Sequence, residues 1–215
     1  MSLIDLRVRQ NTSPLPASVR ALIDESRRRV DAFIEAHLDP PLPSFVSSDF
    51  EVAYRCLLPV FDSGAAPGRR FCEWGCGMGV VASLASIVGF QSCGIEIVPG
   101  LAAEASRLAR DFGLEVDIAC GTFVPKEAEA IQNLAEQFAW IESGGADGYE
   151  LLALSPRSFH AVYAYPWPGE EYVIESLFDE CCADGALLIS FHGSDGIRVR
   201  RRVMVRKSRR RPQSA

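Results

Sequence analysis

The chain has 215 residues, 48% hydrophobic and 23% charged, with a net charge of −6. A chain of this size buries roughly 70% of the surface it exposes unfolded, so disorder and dependence on disulfides or metal are both excluded by composition. Nine of the 22 basic residues lie between Arg198 and Arg211, which leaves residues 1–197 with 13 basic and 28 acidic groups, a net of −15; such a body lacks the basic face that phosphate contacts need, and nucleic acid is not expected as a partner.

Met1–Gln10 lacks the basic-then-apolar order of a signal peptide. Residues 11–18 hold two prolines and read as a loop. Residues 17–38 read as a helix, with Val19, Leu22, Ile23, Val30, Phe33, Ile34 and Leu38 at helical spacing. Asp39-Pro-Pro-Leu-Pro43 stops it. Ser47-Ser48-Asp49 offers an N-cap for a second helix through about Phe61. Past Arg70 the texture changes to alternating short strands and helices. Strands are expected at Phe71–Trp74, Ser92–Val98, Val116–Cys120, Phe159–Tyr165 and Ala186–Phe191. Helices are expected at Val80–Gly89, Leu101–Phe112, Lys126–Ile141 and Glu170–Cys182, and Gly144–Ser158 reads as a connection. This alternation predicts a doubly wound α/β fold: a mostly parallel sheet between two helical layers, a three-layer α/β/α sandwich. Gly193-Ser-Asp-Gly196 signals a tight turn, so Ile197–Val205 should return as an antiparallel C-terminal edge strand. Arg198, Arg200, Arg202 and Arg206 alternate there with Ile197, Val199, Val203 and Val205; only Arg201 breaks the apolar face. The expected organisation is a helical extension over 1–62, the α/β domain over 63–206, and a short basic, disordered tail over 207–215.

No apolar run approaches the ~18–20 residues of a membrane span, so no membrane partner is expected. The seven cysteines contain no Cys-x-x-Cys pair and no zinc spacing. They read as reduced thiols packing as small hydrophobes in a cytoplasmic protein, with no metal.

Phe71-Cys-Glu-Trp-Gly-Cys-Gly-Met-Gly79 carries the chemistry. A strand runs into Gly75-x-Gly77-x-Gly79 and then into a helix. Glycines allow a sharp turn and close approach to a ligand, and the helix N-terminus presents free N–H groups with partial positive charge. Glu96 follows at the end of the next strand, an acceptor-only group suited to a pair of ribose hydroxyls. An adenosine-type ligand is therefore expected across the carboxyl ends of these strands. Gly77-Met-Gly79-Val-Val-Ala82 also satisfies the dinucleotide fingerprint, which leaves an NAD(P)-dependent oxidoreductase as the alternative.

The segment Glu73, Gly75, Gly77, Gly79 resembles motif I of the class I S-adenosylmethionine-dependent methyltransferases, a Rossmann-like family. Glu96 in Gly94-Ile-Glu-Ile-Val98 resembles the acid of that family's second motif. Gly121-Thr-Phe123 falls where the third motif borders the adenine, and Ala164-Tyr-Pro-Trp-Pro168 falls where the family places its substrate-facing motif. The resemblance spans roughly residues 69–192. It implies that Gly75, Cys76 and Gly77 pass under the methionine part of the cofactor, with Glu73 near its amino group. It implies further that Glu96 holds the ribose, Ile97 packs on the adenine face, and Gly121, Thr122 and Phe123 border the adenine edge. Thr122 stands where the family usually has an acid. Tyr165-Pro-Trp-Pro resembles the Asn/Asp-Pro-Pro-aromatic motif of amine methyltransferases but begins with Tyr. Tyr165 and Trp167 are the candidates for the catalytic, acceptor-facing positions. They read equally as packing aromatics.

The resemblance implies methyl transfer from S-adenosylmethionine to an acceptor, leaving S-adenosylhomocysteine. A small-molecule acceptor is expected ahead of a protein side chain, without metal. A non-catalytic cofactor-binding module is the further alternative. His160, within an apolar stretch, reads as a structural histidine. Glu170 and Glu171 read as the acidic opening of a helix. Ser48 and Asp49 read as a cap, with a lid contact to the ligand as the sharper alternative.

Overall fold

The structure is a computed structural model that describes residues 3–36, 46–128, 141–142 and 144–204. Its strands are β1 (Leu3–Leu6), β2 (Arg70–Trp74), β3 (Gln91–Glu96), β4 (Val116–Cys120), β5 (Ala161–Ala164), β6 (Leu187–Phe191) and β7 (Ile197–Arg202). Its helices are α1 (Ala17–Ala36), α2 (Phe50–Asp62), α3 (Val80–Val88), α4 (Pro99–Asp111), the single turn α5 (Gly148–Leu151) and α6 (Glu171–Cys181). The expected helix over Lys126–Ile141 and the tail over 207–215 fall almost wholly outside the described residues; Lys126 and Glu127 form a turn.

The strands form one sheet in the order β1-β7-β6-β5-β2-β3-β4. From β5 and β6 through β2 to β3 and β4 all pairings are parallel. The architecture is the doubly wound, mostly parallel sandwich expected from the alternation of elements. The C-terminal strand β7 is antiparallel to β6, as expected, and stands one place in from the margin, because β1 pairs with its outer side. Leu3–Leu6 carries no strand signal of its own. It becomes a strand because β7 presents a row of unpaired backbone groups that need partners.

Helices pack on both faces because strands buried on both sides must be covered on both. One face joins α1, α2, α3 and α4 through residues such as Leu22, Leu57, Leu84 and Leu108, with Phe71, Tyr163 and Leu187 from the sheet. The other joins α6 and α5 through Val173, Leu177, Phe178 and Tyr149, with Trp74, Ile95 and Val162. The first two helices therefore share the core of the sheet's α3 face. Asp49 caps α2 as the sequence implies, its carboxylate accepting from the Glu51 and Val52 N–H groups at 3.1 Å.

The arginine-rich strand finds its acids within the chain. Arg200 pairs with Glu175 at 2.5 Å, and Arg202 Nε donates to the Asp179 carbonyl at 2.6 Å, so both side chains reach α6. Arg201 lies on the opposite face with buried Val199, and its guanidinium donates to the Ala65 carbonyl at 2.8 Å. The residue that breaks the apolar alternation is thus placed by a backbone acceptor rather than by solvent.

Candidate functional site

A cavity of about 540 Å³ opens at the carboxyl ends of β2, β3 and β5, where the strand order reverses direction. Open α/β sheets bind ligands at this place because the loops diverge there and leave a crevice.

One end of the cavity is made largely of backbone. Gly75, with φ +63°, and Gly77, with φ +54°, turn the chain through left-handed conformations that a side chain would strain. Cys76 N donates to the Ile95 carbonyl at 3.0 Å and ties this turn to β3. Gly79 does not line the cavity; a methyl group there would press on the Ala105 side chain of α4 at 2.9 Å, so its smallness serves helix packing.

Two carboxylates stand behind the turn. Glu73, 5% exposed, accepts from the Ala82 N–H at 2.7 Å and so occupies a donor of the first turn of α3. Burial, with a smaller contribution from neighbouring Glu96, pushes its pKa up to about 8. Glu96, 6% exposed, accepts from Gly77 N at 2.7 Å through one oxygen and from Val98 N at 2.8 Å through the other. Burial raises its pKa, and these backbone donors oppose the rise. Each oxygen of Glu96 retains a lone pair for a hydroxyl donor.

Ile97, Thr122 and Phe123 continue the wall. Thr122 Oγ1 donates to the Glu142 carbonyl at 2.7 Å and accepts from Val124 N at 3.1 Å, so the hydroxyl shapes its own loop. Gly121 lies outside the lining: a Cβ there would overlap the Ala146 carbonyl oxygen, where two loop segments cross. Phe123 stacks on Trp74 with ring centroids 5.4 Å apart and planes 6° apart. Trp74, 3% exposed, lines the cavity, and its Nε1–H has no hydrogen-bond acceptor among the described residues.

The other end is made of side chains. Tyr165 and Trp167 line it, with Ser48, Phe50, Tyr163, Glu170 and Ile174. Tyr163 O–H donates to Ser48 Oγ at 3.0 Å, fastening the segment before α2 over the end of β5. Ser48 therefore touches the cavity while Asp49 does the capping. Tyr165 packs edge-on against Phe191, ring centroids 4.8 Å apart.

Trp74, Tyr163, Phe50 and Glu170 carry no motif signal. Tyr163 could have been found from period two, since it stands two positions before Tyr165 in extended chain. His160 lies outside the cavity: its Nδ1 accepts from Arg70 N at 3.0 Å, the structural role expected. The cysteines are all free, and burial raises the thiol of Cys76 well above its usual range, so its thiolate is disfavoured. Among the described residues no group of side chains is arranged to hold a metal ion, and no helix is long and apolar enough to cross a membrane.

No protein-family model matches the chain, and no curated protein matches it in sequence. Solved structures do match it in fold. An RNA methyltransferase from Salinibacter ruber, in complex with S-adenosyl-L-homocysteine, aligns over 76% of this chain and 97% of its own, with TM-score 0.51 and 17% identity. A methyltransferase from Geobacter sulfurreducens aligns over 89% and 92%, with TM-score 0.51 and 13% identity. An O-methyltransferase from Bacillus cereus, also in complex with S-adenosylhomocysteine, aligns over 83% and 67%, with TM-score 0.50 and 13% identity. The chain has the Rossmann-like fold of the class I methyltransferases.

Proposed function

We propose that the chain is an S-adenosylmethionine-dependent methyltransferase acting on a small-molecule acceptor. One observation carries this reading: two buried carboxylates, Glu73 and Glu96, end adjacent strands and face one cavity, and Glu73 holds the N-terminus of α3. That helix start is where a dinucleotide would place its pyrophosphate. The Glu73 carboxyl already takes one N–H of that helix start, which a pyrophosphate would need, and an ammonium or sulfonium beside it would favour its ionised form. The oxidoreductase alternative loses its main support on this ground.

The residues present fit the cofactor. Glu96 would hold the ribose hydroxyls with the lone pairs its backbone donors leave open. Gly75, Cys76 and Gly77 would pass beneath the methionine part, with Glu73 near the amino group. Ile97 would pack on the adenine face, and Thr122 and Phe123 would border its edge, with Gly79 and Gly121 setting the backbone that supports them. When bound, S-adenosylmethionine supplies a methyl group already activated by its positive sulfur. The protein's part is to align the acceptor and exclude water, which Tyr165, Trp167 and the Ser48–Tyr163 clasp do at the far end. A cytoplasmic location goes with the buried free thiols.

Calorimetry with S-adenosylhomocysteine and with NAD(H) and NADP(H) tests the reading. Binding of the first and none of the others is expected. No heat with S-adenosylhomocysteine, with clear dinucleotide binding, would overturn it. Transfer of label from methyl-labelled cofactor to any fraction of a cell extract excludes the non-catalytic module.

A further inference from the structure

We infer that cofactor binding expels a proton from the Glu73 carboxyl, and that this exchange ties cofactor affinity to pH. The inference rests on the methyltransferase reading for what is bound, and it adds a regulation of that site.

The first ground is how Glu73 is enclosed. It is 5% exposed, and among the described residues its hydrogen-bond donor is the Ala82 N–H at 2.7 Å. Glu96 beside it has a backbone donor on each oxygen, Gly77 N at 2.7 Å and Val98 N at 2.8 Å. A buried carboxylate is costly unless donors or a cation replace its lost hydration. Where two acids share one enclosure, the one with fewer donors keeps the proton. Glu73 is that one.

The second ground is the charge around it, element by element. β3 presents Glu96, a like charge, and the exposed Glu142 of the lining adds the same sign at Glu96. The glycine turn presents Cys76 and β5 presents Tyr163; burial raises both above their usual ranges, so both stay neutral. Cys56 of α2, beside Tyr163, is a thiol that burial pushes up to about 12. α3 has no ionisable side chain from Val80 to Val88. On α2, Arg55 is bonded to Glu51 and to the Asn11 and Ser13 carbonyls. α1 reaches the cavity through Val30, and the adjacent Arg29 is bonded to Glu25 and Asp111. The described lining residues include no arginine, lysine or histidine. Residues 37–45 and 129–140, which flank the lining residues Val46 and Ile141 in sequence, contain no arginine or lysine. In these surroundings the pKa of Glu73 is pushed up to about 8, so the ligand-free carboxyl is mostly protonated at pH 7.

The third ground is the ligand. The amino-acid part of S-adenosylmethionine or S-adenosylhomocysteine carries an ammonium, the first cation to enter this enclosure. It favours the ionised carboxyl: the Glu73 O–H bond breaks, the proton goes to solvent, and the carboxylate left behind pairs with the ammonium. Proton and ligand then compete for one group, and affinity falls as pH falls below about 8.

The test compares S-adenosylhomocysteine with 5′-methylthioadenosine, which keeps the adenosine and the sulfur but lacks the amino-acid part. Calorimetry on the full chain, in buffers of different ionisation enthalpy, counts the protons released by each. At pH 7 S-adenosylhomocysteine should release about 0.9 of a proton more than 5′-methylthioadenosine, the fraction of Glu73 then protonated. Its affinity relative to 5′-methylthioadenosine should rise nearly tenfold from pH 6 to pH 7. In Glu73→Gln the extra proton should vanish and the affinity ratio change less than about twofold over that range. Infrared difference spectra of the wild type supply a measurement that needs no variant: the band of a protonated carboxylic acid should be lost with S-adenosylhomocysteine and kept with 5′-methylthioadenosine. Equal proton release by the two ligands, a flat affinity ratio, or an extra proton that persists in folded Glu73→Gln would each overturn the inference while leaving the methyltransferase reading intact. Failure of S-adenosylhomocysteine to bind at any pH would overturn that reading, and the inference with it.

Discussion

The two ends of the cavity are built by different means. At the glycine end the chain itself is the binding surface: two glycines, Gly75 and Gly77, backbone N–H groups and two carboxylates whose oxygens such N–H groups hold. At the other end the surface is a set of side chains from elements far apart in sequence, with Ser48 and Tyr163 joined across 115 positions. A backbone site is rigid and specific for one ligand shape. A side-chain site can be remodelled by substitution without disturbing the fold. The contrast fits a molecule in which one end binds a fixed cofactor and the other has been free to change its acceptor.

The largest effect is expected from Glu73→Gln. The folded-state pKa of Glu73 is raised from 4.5 to about 8, so the folded protein binds a proton there that the unfolded chain has released. The associated stability is fully present below about pH 4.5 and is lost as pH rises through about 8, a loss of a few kcal/mol if nothing relaxes. Gln keeps an oxygen for Ala82 N and does not ionise. Thermal melts should therefore show the ligand-free wild type losing stability between pH 5 and 9 and the variant losing much less. Equal slopes would mean that Glu73 is not held in the low-dielectric place described.

Glu96→Ala should weaken S-adenosylhomocysteine binding tenfold or more, as expected for losing charge-assisted bonds of ~1.5–3 kcal/mol. Unchanged affinity in calorimetry would remove the ribose assignment. Thr122→Val comes next. It deletes the hydroxyl that links Glu142 and Val124, and should cost about 1–2 kcal/mol of stability by denaturant melt. Its effect on S-adenosylhomocysteine should be a severalfold loss, because the wall shifts while the main contacts stay.

Tyr163→Phe is the smallest and the sharpest test of the contrast. It removes one hydrogen bond, about 1 kcal/mol, at the side-chain end only. Proteolysis should find the segment around Ser48 more readily, while S-adenosylhomocysteine affinity stays within about twofold, a difference under 0.5 kcal/mol. A tenfold loss would mean that the two ends are coupled and the division drawn between them is false.

The same division explains what was legible in the sequence. Gly75, Gly77, Glu73 and Glu96 act through local backbone geometry, and local geometry leaves fixed spacings. The βα alternation was legible for the same reason, since each unit writes its own hydrophobic period. Phe50 and Trp74 became neighbours of the cavity only through tertiary packing, which leaves no spacing to read. Gly79 and Gly121 show the converse. They belong to motifs that point at a ligand, yet their lack of a side chain is used against Ala105 and the Ala146 carbonyl. The strand β1 was hidden because four residues hold too little pattern. Its cause lies in β7, near the far end of the chain, where Arg200 and Arg202 were legible as an alternating strand but not as partners of α6.

That pairing has a kinetic side. Leu3 faces Arg202 and Leu6 faces Val199, so the outermost ladder of the sheet joins one of the earliest segments of the chain to one of the latest. During synthesis Leu3–Leu6 emerges long before β7 exists and must remain unpaired until most of the domain has folded. Closing so large a loop costs entropy that only a preformed sheet can repay. The β1–β7 ladder is thus expected to be among the last structure formed and the first lost. Under stress β7 would then be bared as a free edge, and its run of arginines would keep that edge from joining another chain.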